Sequence, residues 1–224
     1  MKNITLSLYA LLITISPIYG ENNPPPSNQV YVVKDYAHLL GMPGFSDQAL
    51  NIHFKLYQGY VTNTNLLLDI LKQYATDKKE QTPQYSEIKR RLMWEFDGMR
   101  LHENYFANLG GKGSQMNLSG PLYRQIENDF GSFEAWKKDF IATGAMRGIG
   151  WAILYYDPLS QRLINTWINE HDTGHLAGGH PLLIMDVFEH AYLIDYGIDR
   201  KRYMEAFFEN INWPVVESRF KWNN

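Results

Sequence analysis

Asp186 stands inside an otherwise apolar run, Leu182 to Val187 (LLIMDV), and His190 follows it by four residues. An ionised carboxylate in such a run is costly to bury unless something positive accompanies it. A strand-end aspartate and a histidine in the first turn of the next helix can converge on one cation. The same spacing equally fits a buried aspartate hydrogen-bonded to a histidine. The chain contains no cysteine, which excludes thiol nucleophiles, disulfides, zinc-finger sites and a lipid-modified cysteine anchor. Any metal ligands are therefore His, Asp or Glu. His102-Glu103 is not a zinc-protease motif, because no second histidine follows at the required spacing. His38 and His180 take no assignment.

The elements that must position these side chains start at Phe45-Ser46. Ser46 is suited to cap a helix N-terminus, with Phe45 and Leu50 placed for a hydrophobic staple. The helical pattern runs from there to about Tyr74 and carries His53. It meets a polar stretch from Thr76 to Pro83, resumes from Ser86 to Leu109 with His102, and stops at Gly110-Gly111. Two such segments make an antiparallel hairpin, in which residues equidistant from the turn lie side by side. His53 is 24 positions before Asp77 and His102 is 25 after it, so both imidazoles can reach one point between the helices.

The second half has another character. Leu122 to Thr143 is helical in pattern, and Ile149 to Tyr156 (IGWAILYY) is strand-like. A turn at Asp157-Pro158 leads to a hairpin partner over Arg162 to Trp167; Leu182 to Val187 reads as a buried strand, with a helix from Glu189. The fold class is α+β: an N-terminal antiparallel helical hairpin over residues 30–111, then a C-terminal α+β lobe over 112–224 with a short, mostly antiparallel sheet.

Ahead of both lobes, residues 1–20 carry Lys2, an apolar run from Ile4 to Ile15 and a small residue at Gly20, the pattern of a secretory signal peptide. Residues 21–29 hold three consecutive prolines among polar residues and read as an extended tether. The expectation is an exported protein, periplasmic or secreted, with no membrane association after cleavage. Removing the leader deletes Lys2 and no acid, leaving 20 basic against 24 acidic residues, which argues against nucleic acid as a partner.

The segment Asp186-Val187-Phe188-Glu189-His190-Ala191-Tyr192-Leu193 resembles the signature of the iron/manganese superoxide dismutase family, lacking only its last aromatic. Similarity extends in the family's order through Tyr60-Val61-Thr62-Asn63, Leu101-His102-Glu103-Asn104-Tyr105-Phe106, Phe130-Gly131-Ser132-Phe133, Gly148-Ile149-Gly150-Trp151 and Ile211-Asn212-Trp213. The resemblance implies one iron or manganese ion per chain, held by His53, His102, Asp186 and His190, and superoxide as substrate. Three neutral imidazoles and one carboxylate leave a first-row metal an open position for solvent.

The resemblance also implies catalytic parts for Tyr60, as a gateway tyrosine in a proton chain, and for a side chain that hydrogen-bonds the metal-bound solvent. In the iron type a glutamine four positions before the second ligand does the latter, but Gly98 stands there; His175 takes the solvent contact, with His171 as the second choice. Tyr60 follows His53 by seven residues where the family has eight, a spacing that still shares one helical face; Tyr57 shares it too, as a functional group or a core aromatic.

Family tryptophans near the metal appear here as Phe106, Phe188 and Ile153. The family's cross-subunit pair is replaced by Tyr57 and Leu193. Glu189 remains, and the resemblance implies that it contacts His190 of a second copy, giving a homodimer. Arg200 looks like the cation at the channel mouth, where it steers an anion or is an ordinary surface arginine. Two rival functions use the same ligands: a catalytically silent metal-binding relative, and a hydrolase with zinc-activated water.

Overall fold

A computed structural model describes residues 30–220 of the 224-residue chain. The expected signal peptide and tether lie outside the described residues. Among the described residues, no helix is long and apolar enough to cross a membrane.

Helix α1 spans Asp47–Thr76, and the Ser46 side chain caps it by accepting the Ala49 amide at 3.0 Å. Helix α2 spans Pro83–Ala107, three residues longer at its start than the apolar pattern predicts. The reason is Thr82, which accepts the Tyr85 amide, and Pro83 at the first helical position, where a missing N–H costs nothing. The two helices pack along their lengths as the expected hairpin.

The single helical pattern over 122–143 is two helices, α3 (Pro121–Phe130) and α4 (Phe133–Gly144). Gly131 ends the first at a φ of 84°, a left-handed turn that glycine adopts without strain, and Ser132 caps the second through the Ala135 amide. Three strands follow: β1 (Gly150–Asp157), β2 (Arg162–Asn169) and β3 (His180–Asp186). They form an antiparallel sheet in the order β2-β1-β3. Because β1 is central, seven of its eight residues are buried, which explains its unbroken apolar sequence.

After β3 the chain does not enter a helix at once, contrary to expectation. Glu189–Ala191 forms one 3₁₀ turn, then come α5 (Leu193–Tyr196), α6 (Arg200–Glu209) and α7 (Trp213–Phe220). Asp186 Oδ1 accepts the Phe188 amide at 2.8 Å, so the carboxylate itself shapes this turn.

The hairpin is fixed to the sheet through Asn108, the residue that ends α2. Its amide donates to the Ile184 carbonyl at 2.6 Å, and its side-chain oxygen accepts from Arg219 of α7, which also donates to the Leu182 and Asn104 carbonyls. Burial holds the Arg219 pKa down to about 10, well within the range where it stays charged. This junction sets how far α2 slides along β3, and hence where His102 stands relative to Asp186.

Candidate metal centre

The Nε2 atoms of His53 and His190 lie 3.2 Å from Asp186 Oδ2, and Nε2 of His102 lies 3.6 Å from the same oxygen. One ligand atom from each of the four residues falls within 4.8 Å of the others. The three nitrogen-to-oxygen spacings of 3.2, 3.2 and 3.6 Å match the edges subtended by two metal bonds of about 2.1 Å at angles of about 90–120°. His53, His102 and Asp186 are buried, and His190 keeps a side-chain exposure of 23 %.

Two of the four donors at this point lack protein partners, whereas His190 Nε2 bonds Asp186 Oδ2 at 3.2 Å. Nε2 of His53 and of His102 are buried without a hydrogen bond; the His53 atom approaches Asp186 but is poorly aligned for one. Buried orphans of this kind call for an absent group. His102 Nδ1 donates to the Gly98 carbonyl at 2.6 Å, which leaves the Nε2 lone pair directed into the cluster.

Electrostatics points the same way. Burial pushes the His53 and His102 pKa values down, favouring neutral imidazoles that can bind a cation. Burial alone would raise Asp186, but the neighbouring His190 and His53 more than offset it and hold the carboxyl well below its usual range. Three imidazole nitrogens and one carboxylate fit a first-row transition metal.

Tyr60 lies beside this cluster, its ring 5.0 Å from that of His102 and its hydroxyl 2.8 Å from His171 Nε2. Trp151 donates its indole N–H to His171 Nδ1 at 3.1 Å. An indole nitrogen only donates, so His171 Nδ1 must be the acceptor and the proton of the neutral ring sits on Nε2. His171 therefore donates to the Tyr60 oxygen, and the Tyr60 hydroxyl proton is free to point elsewhere. Burial pushes His171 down to about 4 and Tyr60 upward, so both are neutral near pH 7.

His175, expected at the solvent contact, and His171, the second choice, are placed differently. The His175 ring nitrogens are engaged by the Tyr155 hydroxyl and the His171 carbonyl, one layer behind Tyr60, whereas His171 stands against Tyr60 and, at 5.9 Å between rings, His102. Gly98 is likewise more than a missing glutamine. A Cβ there would stand 2.8 Å from Tyr60 Cδ1, so the Tyr60 ring occupies the space. Trp94, His102 and His171 confine that ring on its other sides. Gly98→Ala is expected to lengthen the Tyr60–His171 contact and to cost about 1–3 kcal/mol of stability, with metal content unchanged. Urea unfolding and metal analysis check this.

The remaining positions are distributed as follows. Phe106 packs edge-on to His53 at 4.9 Å, Phe188 stacks on His171 at 4.7 Å, and Ile153 is buried in the middle of β1. Tyr57 is buried and donates to Glu103 while accepting the Lys34 amide. Glu189 and Leu193 are exposed. Arg200 donates to the Gly144, Met146 and Gly148 carbonyls and to the Tyr192 hydroxyl, so it staples the loop after α4 and is not an unattached surface cation. Sequence reasoning missed Trp94, which covers His171 at 4.5 Å and donates to Glu170.

Because three neutral histidines are buried here, acid should weaken the fold. His53, His102 and His171 all have folded pKa values below the ordinary 6.5, so the unfolded chain binds more protons below that pH. Stability is complete above about pH 6.5 and falls toward pH 4, by up to about 1.4 kcal/mol per pH unit for each histidine within its window. Urea midpoints measured from pH 7.5 to 4.5 should decline; a flat profile would contradict the buried-neutral assignment.

A helical hairpin docked on a three-stranded antiparallel sheet, with a His₃Asp cluster at their junction and a neutral Tyr–His pair beside it, defines a mononuclear metalloprotein. The family model described as "Iron/manganese superoxide dismutases, C-terminal domain" matches residues 118–219. The chain is 37% identical over 195 residues to superoxide dismutase [Fe] of Aquifex pyrophilus, covering 84% of this chain and 90% of that protein. It is 35% identical over 180 residues to superoxide dismutase [Mn] 2 of Haloferax volcanii, covering 80% and 88%, and 43% identical over 135 residues to superoxide dismutase [Fe] of Cupriavidus metallidurans, covering 59% and 66%. The chain belongs to the iron/manganese superoxide dismutase family.

Proposed function

We propose that this protein dismutates superoxide at one iron or manganese ion held by His53, His102, Asp186 and His190. The observation that carries this is the convergence of three imidazoles, those of His53 and His102 held neutral by burial, and one ionised carboxylate on a single point. The ion would supply the one-electron chemistry by alternating between its +3 and +2 states. The net reaction would convert two superoxide ions and two protons into one dioxygen and one hydrogen peroxide.

The protein's own groups bind, shield and deliver protons. Phe106, Phe188 and Trp151 make the surroundings apolar, which excludes bulk water. Tyr60 is the proton donor beside His102, and His171, held in one tautomer by Trp151, orients its hydroxyl. The relatives include both iron and manganese proteins, so the choice of ion rests on loading.

Two finer parts of the proposal concern context. Glu189 is exposed next to His190 and contacts His190 of a second copy in a homodimer. Residues 1–20 direct export, on the strength of their apolar run, and the mature protein works in the periplasm or outside the cell.

The test is to load the chain lacking residues 1–20 with iron, manganese or zinc and follow superoxide decay. Catalytic decay is expected with iron or manganese, or with both, and none with zinc, which cannot change its charge. Hydrolysis by the zinc form would support the hydrolase alternative. Full metal content without decay in any form would support a silent relative.

A further inference from the structure

His171 is carried on a tight loop between β2 and β3. Asn169 and Thr173 pair across it, Glu170 has a φ of 52°, and Gly174 has a φ of 110°. A non-glycine residue in the left-handed region persists only where its surroundings hold it. Three contacts do so: Trp94 of α2 donates to Glu170, Trp151 of β1 donates to the His171 ring, and His175 bonds the His171 main chain.

The third contact has a defined polarity. The His171 carbonyl only accepts, so His175 Nε2 carries a proton and donates to it at 2.8 Å. In the neutral ring Nδ1 is then the acceptor, and the Tyr155 hydroxyl donates to it at 2.7 Å. The nearest carboxylate oxygen, Asp97 Oδ2, lies 3.7 Å from His175 Nε2, too far for a hydrogen bond. Residues i and i+4 of a strand point to one face, so Trp151 and Tyr155 project together from β1. Their donors meet His171 and His175, themselves four apart, in a ladder of two rungs. A register shift opposite the Leu154–Tyr155 step, where Leu183 and Pro181 pair and Leu182 is skipped, puts an extra residue in β3 beside the second rung.

We infer that His175, held by Tyr155, is a positioning residue that fixes the main chain at His171 and thereby sets the His171 imidazole against Tyr60. The inference rests on the proposal that Tyr60 and His171 form the proton path. Neither His175 nor Tyr155 is a metal ligand.

The test uses metal-loaded protein carrying His175→Ala, His175→Gln, Tyr155→Phe, His171→Ala and the double change His171→Ala with His175→Ala. Metal content, kcat and the midpoint potential of the bound ion are read for each. His175→Ala should keep its metal, lose about tenfold in kcat, and shift the potential in the same direction as His171→Ala. His175→Gln, whose amide can donate to the carbonyl, should recover most of both, and Tyr155→Phe should give a smaller change of the same sign. The double variant should match His171→Ala alone, because His175 acts only through His171. Losses that multiply in the double variant, or a potential and kcat unmoved by His175→Ala, would overturn the inference. If His175→Ala does not fold, Tyr155→Phe decides by the same criteria. A His171→Ala protein with full kcat and unchanged potential would instead defeat the proton-path proposal, and the inference with it.

Discussion

Asp186→Ala should yield a folded protein with less than about one-tenth of an ion per chain and superoxide turnover reduced about 10³-fold or more. Asp186 Oδ2 is the oxygen on which all three histidine Nε2 atoms converge, and it supplies the negative charge of the cluster. Without it, three neutral imidazoles must hold a multiply charged ion in a buried site, where an unneutralised charge is expensive. Thermal unfolding gives a second readout. A ligand at 1,000 times its Kd stabilises by about 4 kcal/mol, so added iron or manganese should raise the wild-type melting temperature and leave that of Asp186→Ala unchanged. Asp186→Asn separates charge from shape, because an amide oxygen can still accept the Phe188 amide. It should fold as well as the parent and bind metal as poorly as the alanine variant.

Gly150→Ala is expected to destabilise the protein by more than about 4 kcal/mol and to prevent its accumulation in soluble form. Gly150 opens β1 with a φ of 145°, and an added Cβ would stand 1.9 Å from the Ile168 carbonyl oxygen. That contact is with main chain on the neighbouring strand, so no side-chain rotation relieves it. The Gly150 carbonyl accepts the Val187 amide at 2.9 Å, and the adjoining Ile149 carbonyl accepts the Glu170 amide. One position thus joins the residue after Asp186 to the residue before His171. Gly131→Ala is the control: its φ of 84° is also left-handed, but nothing lies within 4 Å of the added Cβ. It should cost about 1–2 kcal/mol from backbone strain alone. Urea unfolding compares the two, and a Gly150→Ala protein no weaker than Gly131→Ala would contradict the packing described here.

The hairpin, the strand carrying Asp186 and the antiparallel sheet were legible in the sequence because each rests on a local regularity. Ser46 and Gly110-Gly111 punctuate long amphipathic segments, and the apolar run before Asp186 has no helical period. Boundaries failed where one side chain outweighed the apolar pattern. Thr82 with Pro83 starts α2 early, Gly131 divides one helical pattern into two, and the Asp186–Phe188 contact replaces a helix start with a 3₁₀ turn.

Within the site, His53 and His102 followed from counting outward from the hairpin turn. The choice between His171 and His175 did not, since it depends on which way a loop with a left-handed residue turns its side chains. One signal was available: Trp151 and Tyr155 are four apart on β1, as are the two histidines on the loop that follows its partner strand. The space that Gly98 leaves for the Tyr60 ring is a contact between helices and has no signature in either segment alone.

X-ray absorption at the metal edge, on protein purified without residues 1–20 and loaded with iron or manganese, tests the central claim most directly. The expected result is one ion per chain with a first shell of three imidazole nitrogens, one carboxylate oxygen and solvent at about 2.0–2.2 Å, converted in His190→Ala to a shell short of one imidazole or to no ion at all. A shell of solvent and carboxylate oxygens without imidazole, or an unchanged spectrum in His190→Ala, would contradict it.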